Sequence, residues 1–354
     1  MNILVIGNGF DLAHELPTKY IDFLKYMLKG DFSDIVDGTA RYKLEQCNAS
    51  SIWLKYFGNI MQEDGTWIDF ENEISQVIQS LEYMMYVRRN SIMHPDQRID
   101  YERSELEEKV LSMLDVQQNL FSPKNEGYYE KVILPLLNDL KEFTECLGIY
   151  CSQVVGSKDI EVASQQVLDL NIDKVLSFNY TNTYIKVYEE FRKLKQQSNY
   201  RPTEVDFIHG TAQFKVGHKK CNMVLGIDEY LENGQENKEV SFIGFKKYFQ
   251  RSLNQTDQKY RKWINKGKNK VYVIGHSLDV TDKDILNEVF TMPGSQVTIY
   301  YHQPSRREEL MINLVKIIGV DEFQKRVYPG GDIVFEEQHT MINKRRIDYH
   351  RSPY

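Results

Sequence analysis

Short apolar runs recur along the chain, and most are followed by a polar or glycine-containing turn and then a helical spacing of apolar residues. The first spans 2–6 and ends in Gly7-Asn8-Gly9; others span 174–177, 206–208, 223–225, 270–274 and 296–300. Brief runs without polar alternation mark strands buried on both faces, which belong to parallel sheets. Strand alternating with helix predicts an α/β fold with a doubly wound, mostly parallel, Rossmann-like sheet.

The interval 31–125 breaks this rhythm. Ile52, Tyr56 and Ile60 repeat at helical spacing, then Ile74, Val77, Ile78 and Leu81, then Leu106, Val110, Leu111 and Leu114. The spacing predicts a helical insertion with no strand of the main sheet. A further helix begins near 128, with Pro135 inside it marking a kink or a restart. The expected organisation is therefore a discontinuous Rossmann-like nucleotide-binding domain, 1–30 plus 126–330, a helical insertion at 31–125, and an unassigned tail, 331–354.

Composition narrows the function classes. The 354 residues allow about two domains at roughly 150 residues each. No apolar run approaches the ~18 residues that cross a bilayer, and no basic stretch precedes the first apolar run. A membrane partner and a secretory signal are not expected. The net charge of -7 argues against a broad grip on nucleic acid. Cys47, Cys146, Cys151 and Cys221 form no CxxC pair, so no metal site is expected, and they read as reduced thiols of a cytoplasmic protein.

Five segments carry candidate chemistry. Gly7-Asn8-Gly9-Phe10-Asp11 follows the first strand, where glycine permits a tight turn and backbone approach to an anion. Ser177-Phe178-Asn179-Tyr180-Thr181-Asn182 follows another strand, with Asn179 ahead of any helix cap. His209-Gly210 closes the run 206–208. Gly275-His276-Ser277 closes the run 270–274, and Asp282 and Asp284 beyond it read as acids of a helix N-terminus. Within the insertion, Asp69 and Glu73 lie one helical turn apart on one face, with Glu71 between them.

The blocks IGNGFDLAHELPTKYIDFL, WIDFENEI, LSFNYTNTY, FIHG, LGID and VIGHSLDVTDKDIL together resemble the bacteriophage abortive-infection AbiH family. That resemblance implies a cytoplasmic anti-phage protein that halts growth of the infected cell. A more distant resemblance is to the sirtuin-type NAD-binding fold. It rests on the glycine-rich turn with Leu16-Pro17, the strand-end Asn179, His209-Gly210, and Gly275 with Ser277. Thr18, Lys19 and Tyr20 depart from the sirtuin proline block, Thr181 replaces its usual Asp, and the paired-cysteine zinc module is missing, so deacetylation is not implied.

The expected activity is binding and hydrolysis of NAD or a related nucleotide at the nicotinamide–ribose bond. NAD is then a substrate, and no prosthetic group is expected. Gly7, Asn8, Gly9 and Phe10 would hold the pyrophosphate, with Pro17, Thr18, Thr181, Gly210 and His276 completing the ligand-contacting set. Gly275 and Ser277 would line the adenosine half. Asp11 would steady the ribosyl cation, Asn179 orient ribose or water, and His209 act as base. A strand-end histidine facing a cleft carries little packing, so His209→Ala is expected to leave folding intact. Two alternatives are a nucleotide sensor without turnover and a metal-dependent nuclease using Asp69, Glu71 and Glu73. The sequence leaves room for a phage-derived trigger and for a homo-oligomer.

Overall fold

The computed structural model describes residues 1–64, 68–93, 105–113, 129–212, 221–227, 240–256, 258–264 and 268–344. The chain divides into two compact units. One comprises Met1–Lys19, Gly148–Met223 and Asn254–Tyr354; the other comprises Tyr20–Leu147 and Val224–Leu253.

The strands of the first unit are β1 (Asn2–Ile6), β2 (Val162–Ser164), β3 (Lys174–Ser177), β4 (Glu204–Phe207), β5 (Lys270–Ile274), β6 (Gln296–Tyr301), β7 (Ile333–Glu337) and β8 (Met341–Asn343). Six of them form one sheet in the order β4-β3-β1-β5-β6-β7, and every neighbouring pair is parallel. Numbered along the sheet's own strands, that order is 3-2-1-4-5-6, the arrangement of doubly wound nucleotide-binding sheets. It reverses direction between β1 and β5. The register brings Val5 opposite Leu176 on one side and Val273 on the other, so these strands end at one level.

Both faces are covered, which explains why the strands lack polar alternation. Ile3 and Val5 pack with Val271, Val273, Val297, Ile299 and helices Lys283–Phe290 and Pro304–Ile318. Leu4 and Ile6 face the other way, onto Tyr184, Val187, Tyr188 and Phe191. The small side chains of one strand thus serve two cores by the two-residue period of a strand.

Two expectations about strands change. The run 223–225 forms no strand: its buried residues belong to a loop, and only the adjoining Ile227 makes a bridge, to Lys246. The segment after 331, which carried no assignment, supplies the sixth strand, β7. It also supplies β8, which pairs antiparallel with the short β2. Neither β2 nor β8 has enough residues for a periodic signal.

Among its described residues the second unit is predominantly helical and contains no strand of the main sheet. It begins at Tyr20 rather than 31 and takes in 224–253, since helix Tyr20–Lys29 buries Ile21, Phe23, Leu24 and Met27. Ile74, Val77, Ile78 and Leu81 are wholly buried, as their spacing predicts. In helix Ile52–Asp64 the buried stripe is rotated by one position: Trp53, Tyr56 and Phe57 are inside, while Ile52 and Ile60 are half-buried. The rings decide the rotation. Phe57 stacks on Phe70 at 4.2 Å, and the Trp53 indole donates to the Leu136 carbonyl at 3.0 Å. Pro135 marks a restart, with a π turn at Tyr129–Ile133 giving way to helix Leu134–Ile149. Leu114 lies outside the described residues, as does the side chain of Leu106.

Glu71 and Lys247 form an ion pair inside this unit at 2.6 Å, with the lysine side chain 1% exposed. Removing the carboxylate takes a counter-charge from that buried ammonium, which destabilises by about 3–5 kcal/mol. Glu71→Ala is therefore expected to unfold at clearly lower denaturant than the parent. Coincident unfolding curves would contradict this. Among the described residues, no helix is long and apolar enough to cross a membrane.

Candidate active site

Four strand ends of the first unit carry the predicted residues, and the sheet brings them to one edge. After β1, the glycine turn enters a short helix, Asn8–Ala13, without a side-chain cap. Its glycines serve loop-on-loop packing. Gly9 N–H donates to the Gly275 carbonyl at 2.7 Å, and Phe10 N–H donates to Gly7 at 2.9 Å. A Cβ on Gly9 would lie 2.9 Å from Gly275 Cα and O, and one on Gly7 would lie 2.9 Å from His276 Cα. The expected pyrophosphate role of this turn changes accordingly. The Gly9 and Phe10 donors are satisfied within the protein, and Phe10 is a core side chain against His14 and Tyr188. Asn8 accepts from the Thr18 hydroxyl at 2.6 Å, and the Pro17 carbonyl accepts from Tyr150 at 2.8 Å. These bonds fix the loop's path.

Asp11 is the exceptional residue of this turn. It is 1% exposed. Its Oδ2 accepts from the Thr181 hydroxyl at 2.5 Å, and Thr183 lies 3.1 Å behind Thr181. Its Oδ1 has no hydrogen-bond partner. Burial pushes its pKa up to about 6, against the pull of Thr181, Thr183 and Asn179 toward the charged form. The Asn179 amide itself donates elsewhere, to the Gly7 carbonyl at 2.9 Å, so Asn179 ties the β3 loop to the β1 turn. That leaves its carbonyl oxygen as the group that could orient a ligand.

His209 and His276 sit on one carboxylate. His209 Nε2 donates to Asp282 Oδ1 at 2.9 Å, and His276 Nε2 lies 3.6 Å from Asp282 Oδ2. His276 Nδ1 accepts from Leu278 N–H at 2.9 Å, so a neutral His276 carries its proton on the nitrogen facing Asp282. The Phe178 ring meets both imidazoles edge to face, at 5.5 and 4.4 Å. Leu278 adopts φ 56°, a costly conformation for a leucine that packing must hold. Asp282 therefore does more than favour a helix N-terminus: it makes no cap bond and turns to the histidines. Sequence reading missed this because 73 residues separate His209 from Asp282. Gly210, at φ 76°, packs on the Asn222 backbone. Ser277 is exposed, and its carbonyl accepts from Asn313 at 3.0 Å.

His209 is 4% exposed, so the expectation that its truncation leaves folding unchanged does not fit its packing. His209→Ala removes a buried hydrogen bond from a carboxylate and is expected to cost about 1–3 kcal/mol of stability. A melting curve checks it, and an unchanged midpoint would contradict it. His14 offers the contrast of a satisfied core histidine. Its Nδ1 donates to the Phe10 carbonyl at 2.7 Å and its Nε2 accepts from Tyr188 at 2.8 Å, and burial holds its pKa down to about 4.

A cleft of ≈ 330 Å³ opens on the β3–β4 side, with Thr181, which donates to Asp11, in its wall. Its walls are 180–183 and Lys186 after β3, Thr211 and Ala212 after β4, Leu16, and parts of 151–160. Open space for a ligand thus lies on the β3–β4 side, whereas at the β1–β5 reversal the backbones touch. Cys151 lines the cleft, but burial and the charge of Asp11 push its thiol pKa well up, which makes it a poor nucleophile.

A family model described as bacteriophage abortive infection AbiH matches residues 3–302. The chain belongs to the AbiH family. Comparison with curated proteins and with solved structures found no match. The AbiH match spans the turn of Asp11, the Asn179 loop, His209 and the 275–282 loop, so the whole strand-end constellation lies within the family's region. It also spans the acids of the helical unit, which have structural tasks there. Asp69 caps helix Phe70–Met93 through the N–H groups of Glu71 and Asn72, Glu71 pairs with Lys247, and Glu73 accepts from Tyr56 at 3.2 Å. Among the described residues, no group of three or more His, Cys, Asp or Glu is placed to hold a metal. Asp228 of the LGID block lies outside the described residues, as does Trp67 of the WIDFENEI block.

Proposed function

We propose that this AbiH-family chain is a phage-defence effector that hydrolyses NAD, or a related nucleotide, at the nicotinamide–ribose bond. The observation that carries the reading is Asp11, a buried carboxyl with one oxygen unpartnered, at the carboxyl edge of a sheet in the 3-2-1-4-5-6 order. Ligands of such sheets bind at that edge. The reaction takes up one water and gives nicotinamide, ADP-ribose and a proton.

Nicotinamide leaves as a neutral molecule from a cationic ring, so no strong general acid is needed. Positive charge gathers on the ribose as the bond breaks. A carboxylate in a site this dry stabilises that charge far more than one in water. Thr181 fixes the orientation of Asp11 in advance. Asn179, anchored to Gly7, presents its carbonyl to water or to a ribose hydroxyl. His209 takes the proton of the attacking water, and Asp282 orients the imidazole by holding Nε2. The Gly275–Ser277 loop lies on the side assigned to the adenosine half.

The test is the NAD level of cells carrying the chain, before and after phage infection, beside cells carrying Asp11→Asn. NAD falls on infection only with the parent chain if the reading holds. Protection from phage with NAD unchanged would overturn it in favour of a sensor without turnover.

A further inference from the structure

We propose that Cys47 and Cys146 form a thiol–disulfide pair in the helical unit, open as two thiols under reducing conditions and closed to a disulfide by a disulfide-class oxidant such as oxidised glutathione. This stands apart from the chemistry read at the strand ends of the first unit.

Contact is the first argument. The two residues lie near the C-terminal ends of helices Gly38–Ser50 and Leu134–Ile149, both within the second unit. The Cys146 thiol donates to the Lys43 carbonyl at 3.7 Å, one helical turn before Cys47. Helical side chains lean back over the preceding turn, which brings the Cys47 thiol to the same place. There the two thiols are hydrogen-bonded to each other. Closing an S–S bond of about 2.05 Å takes a further approach by rotation of both side chains.

Chemistry is the second. The hydrogen bond to Cys47, and then burial, push the Cys146 pKa well up, so Cys146 keeps its proton and the first attack falls to Cys47. The Cys47 sulfur attacks one sulfur of oxidised glutathione and breaks its S–S bond. One glutathione leaves as thiolate and takes up the proton that Cys47 gave. Cys146 then attacks the Cys47 sulfur of the mixed disulfide, and the second glutathione leaves with the Cys146 proton. The protein pair is oxidised by two electrons, and the glutathione disulfide is reduced to two thiols.

Access is the third. Both cysteines are buried, at 4% and 2% exposure, so an oxidant reaches them through local opening. Helix Gly38–Ser50 buries only Ala40, Leu44 and Cys47, a small apolar face to hold it down. At its rim the ion pair of Lys43 with Glu145 is 40% and 32% exposed, and such pairs contribute little. The helix that carries Cys47 is therefore one that opens at low cost.

The experiment treats the reduced full chain with oxidised glutathione, digests it without reductant and maps linked peptides by mass spectrometry. Free thiols are counted after denaturation. The one linked pair should be Cys47–Cys146, with free thiols falling from four to two and returning with dithiothreitol. The oxidised chain should unfold at a higher midpoint than the reduced one, because the bond closes a long loop of the unfolded chain. Cys221→Ser, outside the pair, should still form the link. Cys47→Ala should lose it, and the mapping on the parent chain decides the matter even if that buried change impairs folding. Four free thiols in the folded parent after treatment would overturn the proposal. So would a link joining Cys151 to Cys221 instead, or a Cys47–Cys146 link that forms only in urea.

Discussion

Asp11→Asn will make the protein more stable at neutral pH while it abolishes nicotinamide release. The Asp11 carboxyl is held in a site that disfavours its charge, with a folded pKa pushed up from the ordinary 3.8 to about 6 by burial. A group whose folded pKa is raised contributes its full stability below the unfolded value. That contribution is lost as pH rises through the folded value. The wild-type chain should therefore lose stability between about pH 4 and 6, and carry a penalty of about 3 kcal/mol above that range. Asparagine keeps an acceptor for Thr181 and has no charge to desolvate. Its denaturation midpoint should exceed the parent's at pH 7.5 and converge with it near pH 4. The rate of nicotinamide release should fall at least ~100-fold, since the developing ribosyl cation loses its counter-charge. A variant less stable than the parent at pH 7.5 would show that the carboxylate is stabilised by partners, contrary to its unpartnered oxygen.

Gly275→Ala should prevent the chain from folding. Gly275 has φ 68°, and a Cβ there would lie 2.1 Å from Phe10 N and 2.5 Å from Gly9 C. Neither neighbour can yield, because Phe10 is a core side chain 1% exposed and Gly9 is bonded back to Gly275. Strain on this scale exceeds ~4 kcal/mol, a large part of the 5–15 kcal/mol that holds a domain together. Gly319→Ala is the control. Gly319 also has positive φ, at 82°, with ψ 163°, but nothing lies within 4 Å of its Cβ position, so only the backbone penalty of about 1–3 kcal/mol applies. Yield and thermal unfolding by circular dichroism decide the matter. Equal melting of the two variants would mean that the β1 and β5 loops do not touch. Gly9→Val should fail for the same steric reason, before any question of phosphate binding arises.

Much of this fold is legible from local pattern. β1, β3 and β5 announce themselves as unbroken apolar runs because both faces of their sheet are covered. β4 is found through the same run, although Ile208 lies just beyond its end. Ile74 to Leu81 read as a buried helical stripe because four aliphatic residues keep the 3.6-residue period. β7 escapes notice because its sequence, IVFEE, ends in two exposed acids at the sheet edge. The stripe of Ile52 is misplaced by one residue because ring stacking of Trp53 and Phe57 outweighs aliphatic spacing.

The site is legible in its members and not in its bonds. Asp11, Asn179, His209 and Gly275 declare themselves by standing at strand ends. What joins them is long-range. Asp282 reads as an ordinary helix acid until the fold carries it to His209 and His276. The glycine turn reads as an anion cradle until Gly275 is seen to occupy its Gly9 donor. Thr181 reads as a helix cap, yet its hydroxyl is committed to Asp11, 170 residues away.

The proposed cleavage of NAD by this chain through Asp11 can be read directly. The direct measurement is free nicotinamide and ADP-ribose, separated by chromatography, after NAD is incubated with the purified full chain in buffer and in phage-infected cell extract. Asp11→Asn, shown by its melting curve to be folded, is the paired sample. Both products should accumulate in equal amounts with the parent chain and stay at background with Asp11→Asn. NAD returned intact by the folded parent chain in both settings, or equal product from Asp11→Asn, would contradict the account.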